Sequence, residues 1–175
     1  MRNRLAFLIW ASAGLCSSSI GPVACVSQSC TAMGCLDTET LTFSTTPAEV
    51  SETDLSACRN DHCWHGRVST GDVTPGNRRL ELQAEDAADA ASWFLDGYLD
   101  TQSQPGRALF KLSWSARSSE RVAVGDVLNA TFSDSSGSEV LRQSGTLSTF
   151  SEFYPNGEDC DEVGCRSGSV EGSAR

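Results

Sequence analysis

Six of the eight cysteines in this chain occur as three pairs with one C-x4-C spacing. The pairs are Cys30 and Cys35, Cys58 and Cys63, and Cys160 and Cys165. Because disulfides persist in oxidising compartments, this pattern predicts an exported protein stapled by short bridges. Six cysteines allow 15 connectivities, and spacing alone does not choose among them. The simplest assignment joins the two cysteines of each pair.

The middle cysteine pair is the one that best fits a β-hairpin. Residues that flank a short loop lie opposite each other across a hairpin. The sequence therefore predicts a four-residue loop over residues 59–62, with Cys58 facing Cys63 across it. A bridge that closes so small a loop contributes only about 2 kcal/mol through the entropy of the unfolded chain. We expect the bridges to fix turns rather than to hold the whole fold together.

The N-terminal residues have the pattern of a secretory signal. Arg2 and Arg4 precede a short apolar run over residues 5–11, and mostly small residues follow up to Cys25. The apolar run is too short to cross a bilayer, which takes about 20 apolar residues in a helix. We therefore predict a signal peptide over residues 1–24.

Cys25 is the predicted site of lipidation. It follows Val23 and Ala24, which resemble the end of a bacterial lipobox, although Pro22 stands where leucine is usual. Acyl chains on this sulfur would hold the protein on a membrane of the cell envelope. Two alternatives stay open: cleavage near Ala24 that leaves a secreted protein with a free Cys25 thiol, and an uncleaved anchor.

Length and charge limit the number of domains and the classes of partner that this chain is expected to have. Cleavage before Cys25 leaves 151 residues (175 minus 24), which is enough for one domain with a substantial core. We predict a short tether over residues 25–37 and one domain over residues 38–175. The formal net charge is −10, and the loss of Arg2 and Arg4 moves it to −12. A chain this acidic repels phosphate, so no nucleic-acid partner is expected.

Short stretches of alternating polar and apolar residues recur from Thr40 onward. The clearest ones cover residues 40–44, 110–115 and 126–132. About eight such strands, separated by regular turns, predict an all-β fold, an antiparallel β-sandwich of the immunoglobulin-like kind. The tryptophans at positions 64, 93 and 114 are expected in its core.

Several local patterns resemble known extracellular modules. Gly125 and Asp126 before an alternating strand, with a D-S-S-G turn over residues 134–137, resemble immunoglobulin-like and transthyretin-like domains. The Y-P-N-G segment over residues 154–157 and the C-R-N-x-x-C hairpin resemble uncharacterised predicted lipoproteins of predatory soil and marine bacteria. The resemblance spans about residues 39–171 and implies a secreted or anchored β-domain, with no assigned activity to carry over.

Both histidines of the chain lie in or beside the predicted hairpin. His62 and His65 accompany Cys58 and Cys63, and such side chains are zinc ligands, although this spacing is not a standard zinc pattern. The leading hypothesis is a disulfide with two exposed histidines. A metal-binding domain that uses the Cys58–His65 segment is the alternative function.

No catalytic motif accompanies these features. The sequence contains no nucleophile elbow, zincin pair, P-loop or dinucleotide-binding glycine motif. We predict a non-enzymatic binding or structural module without a cofactor. Its expected partners are a membrane, through the lipid anchor, and an unidentified protein or glycan. The acidic residues that surround Cys160 are expected to form a solvated turn, with calcium binding as the alternative.

Overall fold

The computed structural model describes residues 36–117, 120–158, 161 and 163–174. The predicted signal over residues 1–24 and the tether up to residue 35 lie outside this part, and so do Cys25, Cys30, Cys35 and Cys160. No helix among the described residues has the length and apolar content that crossing a membrane requires.

The described residues form twelve strands and two short helices. In chain order these are β1 (Thr38–Thr45), α1 (Pro47–Val50), β2 (Thr53–Arg59), β3 (His62–Val68), β4 (Asn77–Leu80), β5 (Gln83–Ala84), α2 (Ala87–Ser92), β6 (Trp93–Asp100), β7 (Ala108–Ala116), β8 (Val127–Ser133), β9 (Glu139–Thr146), β10 (Ser151–Phe153), β11 (Cys165–Glu171) and β12 (Ser173–Ala174).

The strands form two six-stranded sheets that pack as a sandwich. We define sheet A as β10-β11-β1-β7-β6-β4 and sheet B as β12-β9-β8-β2-β3-β5. The all-β sandwich predicted from the alternating pattern is confirmed. Within the described residues the strand pairs are antiparallel except for β1 and β11, which are parallel, with Thr38 opposite Ser167 and Thr42 opposite Glu171. The estimate of eight strands was too low, because four strands of two to four residues are too short to show alternation.

The core lies between the two sheets and follows the alternation of the longest strands. Phe43 of β1, Phe110 of β7 and Phe132 of β8 form a three-ring cluster with centroid separations of 5.0, 6.0 and 5.2 Å. Phe43 and Phe110 belong to sheet A and Phe132 belongs to sheet B, so the cluster joins the two layers. The three tryptophans at positions 64, 93 and 114 are buried, as predicted.

Leu82 fills the side of the sandwich where the chain crosses from β4 in sheet A to β5 in sheet B. A Cβ on Gly97 of sheet A would lie 2.8 Å from Leu82 Cδ1, and one on Gly66 of sheet B would lie 2.7 Å from Leu82 Cδ2. The Gly66 Cβ would also lie 2.4 Å from the carbonyl oxygen of Glu81. Both positions therefore need glycine, because the crossing segment approaches each strand closely.

One end of the sandwich collects several chain connections, and we call it the entry end. Leu36 precedes β1 there, and β11 begins there because it runs parallel to β1. The register places the end of β7 at this end, and the contact of Arg59 with Glu39 places the turn between β2 and β3 there as well. The β7–β8 and β10–β11 connections therefore meet at the entry end as well.

Candidate functional site

The Cys58–Cys63 disulfide predicted from the spacing is confirmed. The two residues lie directly opposite each other on β2 and β3, with their Cα atoms 4.1 Å apart. The predicted four-residue loop is wrong, because Arg59 and His62 still pair across the ladder. The turn consists of Asn60 and Asp61, and Asn60 adopts the left-handed conformation (φ 51°) that asparagine tolerates well.

Asn60 fastens this turn to the start of β8. Its backbone N–H donates to the carbonyl oxygen of Val127 over 2.8 Å, and its side-chain Oδ1 accepts from Val127 N–H over 2.9 Å. Its Nδ2 donates to Asp126 Oδ1 over 2.9 Å. The hairpin tip is therefore held by three hydrogen bonds and cannot swing freely.

Arg59 points inward from the end of β2 and is almost completely buried. Its Nε donates to Glu39 Oε2 over 2.8 Å, and its Nη2 donates to Asp126 Oδ2 over 2.7 Å. The guanidinium also lies 3.8 Å from the centroid of the Trp93 ring, a cation–π contact. One buried cation thus joins β1, β2, β6 and the β7–β8 connection.

Glu39 is the most unusual member of this cluster. It is fully buried on the inward face of β1, and its Oε1 has no hydrogen-bond partner among the residues that the structure describes. Burial and the neighbouring Asp126 carboxyl group raise the pKa of Glu39 to about 8, although Arg59 opposes the shift. Burial also tends to raise the pKa of Asp126, but hydrogen bonds with Glu39 and Asn60 outweigh it and the Asp126 pKa is lowered. The raised pKa favours a proton on Glu39 at neutral pH, beside the Arg59 cation and the Asp126 carboxylate.

Asp37 makes a second set of connections at the entry end. Its Oδ2 accepts from Arg121 Nε over 2.7 Å and from the Val122 N–H over 3.0 Å. Its Oδ1 accepts from the backbone N–H of Arg166 over 2.9 Å. Asp37 therefore ties the start of β1 to the β7–β8 connection and to β11.

Cys165 at the start of β11 is also disulfide-bonded. Its predicted partner Cys160, and the predicted pair of Cys30 with Cys35, fall outside the described residues. These two pairings stay predictions.

A polar groove of about 600 Å³ lies beside the hairpin on the outer face of sheet B. The side chains that define it are Asp54, Ser56, His65, Arg67, Glu81 and Gln83. His65 is about half exposed, and its Nε2 lies 3.4 Å from Glu85 Oε2. Arg67 bridges Glu52 over 3.2 Å and Asp54 over 3.4 Å. The groove therefore offers several polar groups at a surface that solvent can reach.

The structure does not arrange the predicted metal ligands as a metal site requires. Cys58 and Cys63 are bonded to each other, so neither sulfur is a thiolate. Within the part of the chain that the structure describes, no group of three or more His, Cys, Asp and Glu side chains is arranged to hold a metal ion. In the acidic turn, the Asp161 carboxylate accepts from Asn156 N–H over 2.9 Å and Nδ2 over 2.8 Å. Asp159 and Glu162 lie outside the described residues.

The buried cluster was not found by sequence reasoning, although a signal was present. Glu39 occupies an inward position in the same alternating series as Leu41 and Phe43, and Arg59 continues the series of Leu55 and Ala57. A charged residue at an apolar position of a strand requires a buried partner. The sequence thus marks both positions as needing a buried partner, but it does not show that they meet, because β1 and β2 belong to different sheets.

Comparisons with known proteins identify no relative of this chain. No family model, no curated protein and no solved structure matches the chain. The resemblance to predicted bacterial lipoproteins stays a prediction.

Proposed function

We propose that this protein is an exported lipoprotein that is anchored to a membrane of the cell envelope through Cys25. Its β-sandwich then acts as a non-enzymatic binding or structural module. The observation that carries the proposal is the coincidence of a signal pattern that ends at Cys25 with a disulfide at Cys58–Cys63. A signal pattern and a disulfide both indicate export to an oxidising compartment.

The groove beside the hairpin is the surface that best supports a binding role. Its volume of about 600 Å³ is within the range of small-molecule sites, which is roughly 300–1,000 Å³. Its lining combines polar and charged side chains with an apolar area of similar size, so it suits a ligand that has both hydrogen-bonding groups and apolar faces, such as a glycan or a segment of a protein. The Cys58–Cys63 bridge and the Asn60 contacts keep one wall of this groove in place.

The anchor can be tested with two single cysteine variants of the full chain. We expect the wild-type protein to partition into the detergent phase, with an intact mass that begins at Cys25 and includes lipid. Cys25→Ser should move the protein to the aqueous phase. Cys16→Ser is the matched control and should change nothing, because this residue lies inside the predicted signal. Unchanged partitioning of the Cys25→Ser variant would contradict the proposed anchor.

The groove can be tested separately by obstruction. Ser56 lies in the groove with a side chain that is only partly buried, so Ser56→Arg should block it without disturbing the core. Thr40→Arg on the outer face of sheet A is the control. Binding to fractionated envelope glycans, measured by calorimetry, should be lost in the first variant and kept in the second. Equal binding by both variants would exclude the groove as the binding surface.

A further inference from the structure

Exposed apolar side chains are concentrated at the entry end of the sandwich. Six large apolar side chains are exposed in the described residues, and four of them belong to segments at this end. These four, which we call the entry patch, are Leu36 (58% exposed), Val124 (63%), Phe153 (48%) and Val163 (59%). A concentration of this kind marks an interaction surface more often than scattered single residues do.

A shared cleft and the strand register place Leu36, Phe153 and Val163 close together, and Val124 lies on a connection that reaches the same end. Leu36 and Val163 line the same cleft of about 180 Å³. Phe153 lies opposite Cys165 on the neighbouring strand, and Cys165 follows Val163 by two residues in the chain. Val124 belongs to the β7–β8 connection, whose Asp126 binds the hairpin tip through Asn60.

Hydrogen bonds and ion pairs connect the segments that carry the entry patch. Asp37, next to Leu36, accepts three hydrogen bonds from two other segments. Arg121, in the connection that carries Val124, also donates to the carbonyl oxygen of Gly164, next to Val163. The charged groups at the surface of this end are partly neutralised, because Arg121 and Arg166 both approach Glu152. The patch is therefore presented by a framework of hydrogen bonds and ion pairs, and Glu158 and Asp161 belong to the same β10–β11 connection as Val163.

The position of the patch matches the position of the proposed lipid anchor. Only ten residues separate Cys25 from Leu36. Eleven steps along a fully extended chain span at most about 40 Å, at 3.3–3.6 Å per residue. A lipid on Cys25 would therefore keep the entry end within about 40 Å of the bilayer.

We propose that the entry end is seated on the membrane surface, with the entry patch in contact with the lipid interface. This inference rests on the proposed lipid anchor at Cys25. Apolar side chains that reach the interface add buried area to the area that the acyl chains bury, and they fix the orientation of the domain. Sheet B and its polar groove then stand roughly along the membrane normal and remain open to the aqueous phase.

Fluorescence quenching by brominated lipid tests this orientation. The lipidated protein with Val163→Trp is reconstituted into phosphatidylcholine vesicles with or without brominated acyl chains. The three tryptophans of the described sandwich are buried, so they supply a constant background. Val140→Trp is the matched control, because Val140 is another exposed valine, on β9 away from the entry end. Phe153→Trp serves as a second reporter if Val163→Trp perturbs the fold.

We expect brominated lipid to remove most of the emission that Val163→Trp adds and to leave the emission of Val140→Trp unchanged. Equal quenching of both positions, or quenching of neither, would overturn the orientation. A protein that does not float with the vesicles at all would instead show that the anchor itself is wrong. Absence of quenching together with a dimer by light scattering, abolished by Val163→Asp, would show that a second copy covers the patch.

Discussion

Arg59 of sheet B donates to Glu39 of sheet A over 2.8 Å, and this contact joins the two layers of the sandwich where both are buried. The same guanidinium reaches Asp126 over 2.7 Å, so one cation serves two carboxyl groups. Buried charges are costly unless they are paired. The free energy of unfolding should therefore depend on the presence of the Arg59 cation and on the protonation of Glu39.

Removal of the buried cation should be strongly destabilising. Arg59→Met retains much of the side-chain volume but removes the cation that pairs with the mostly buried Asp126 carboxylate, and it removes the contact with Trp93. We expect a loss of about 3–5 kcal/mol in the free energy of unfolding, measured by urea titration. Arg67→Met on the same hairpin is the control, because its ion pairs are exposed and should contribute at most about 1 kcal/mol. Similar losses for the two variants would contradict this account.

The proton on Glu39 should make stability depend on pH. The pKa of Glu39 is about 8 in the folded protein and 4.5 when unperturbed, so the folded state binds this proton more tightly. The resulting stabilisation is complete below pH 4.5 and is lost as the pH rises towards 8. Across this window the folding equilibrium constant should fall by a factor of up to about ten per pH unit.

The Glu39→Gln variant isolates that contribution. It keeps the shape of the protonated side chain and removes its titration, so the decline in stability between pH 5 and 8 (within the window set by the Glu39 pKa) should flatten. The measurement is urea unfolding at several pH values. Glu49→Gln is a useful contrast, because hydrogen bonds from Thr45 and Thr46 lower the pKa of Glu49 to about 2. The stability that Glu49 contributes is present above pH 4.5, so this variant should change the pH dependence of stability only below that pH. An unchanged slope for Glu39→Gln would contradict the assignment of the proton.

The hairpin disulfide should contribute modestly. Replacement of Cys58 and Cys63 together by alanine should cost about 2 kcal/mol, because the closed loop is short. The hydrogen bonds of Asn60 hold the same turn, so the fold should persist in the double variant. Circular dichroism and urea titration check these two points. Complete unfolding of the double variant would show that the bridge, rather than the strand ladder, determines the fold of the hairpin.

The alternation of residues in β1, β7 and β8 was sufficient to predict the sandwich and its tryptophan core. The short strands β4, β5 and β12 were not predictable, because two to four residues carry no periodic signal and their pairing depends on neighbours distant in the sequence. The Cys58–Cys63 bridge followed from local spacing. The Glu39–Arg59–Asp126 cluster did not, because its members lie on separate segments and meet only when both sheets have formed.

Leu82 lies close to both Gly97 and Gly66. Substitutions at these two glycines should distinguish a clash with a side chain from a clash with the backbone. A methyl group on Gly97 meets the end of the Leu82 side chain at 2.8 Å, whereas one on Gly66 also meets the Glu81 carbonyl oxygen at 2.4 Å. Gly97→Ala and Gly66→Ala should each destabilise by about 1–3 kcal/mol. Leu82→Ala should restore part of the loss in Gly97→Ala but little of it in Gly66→Ala, because the backbone at Glu81 cannot give way. Gly71→Ala is the control, since its nearest neighbour would be 3.6 Å away. Equal rescue of both variants, measured by a double-mutant cycle, would show that the Glu81 backbone can move.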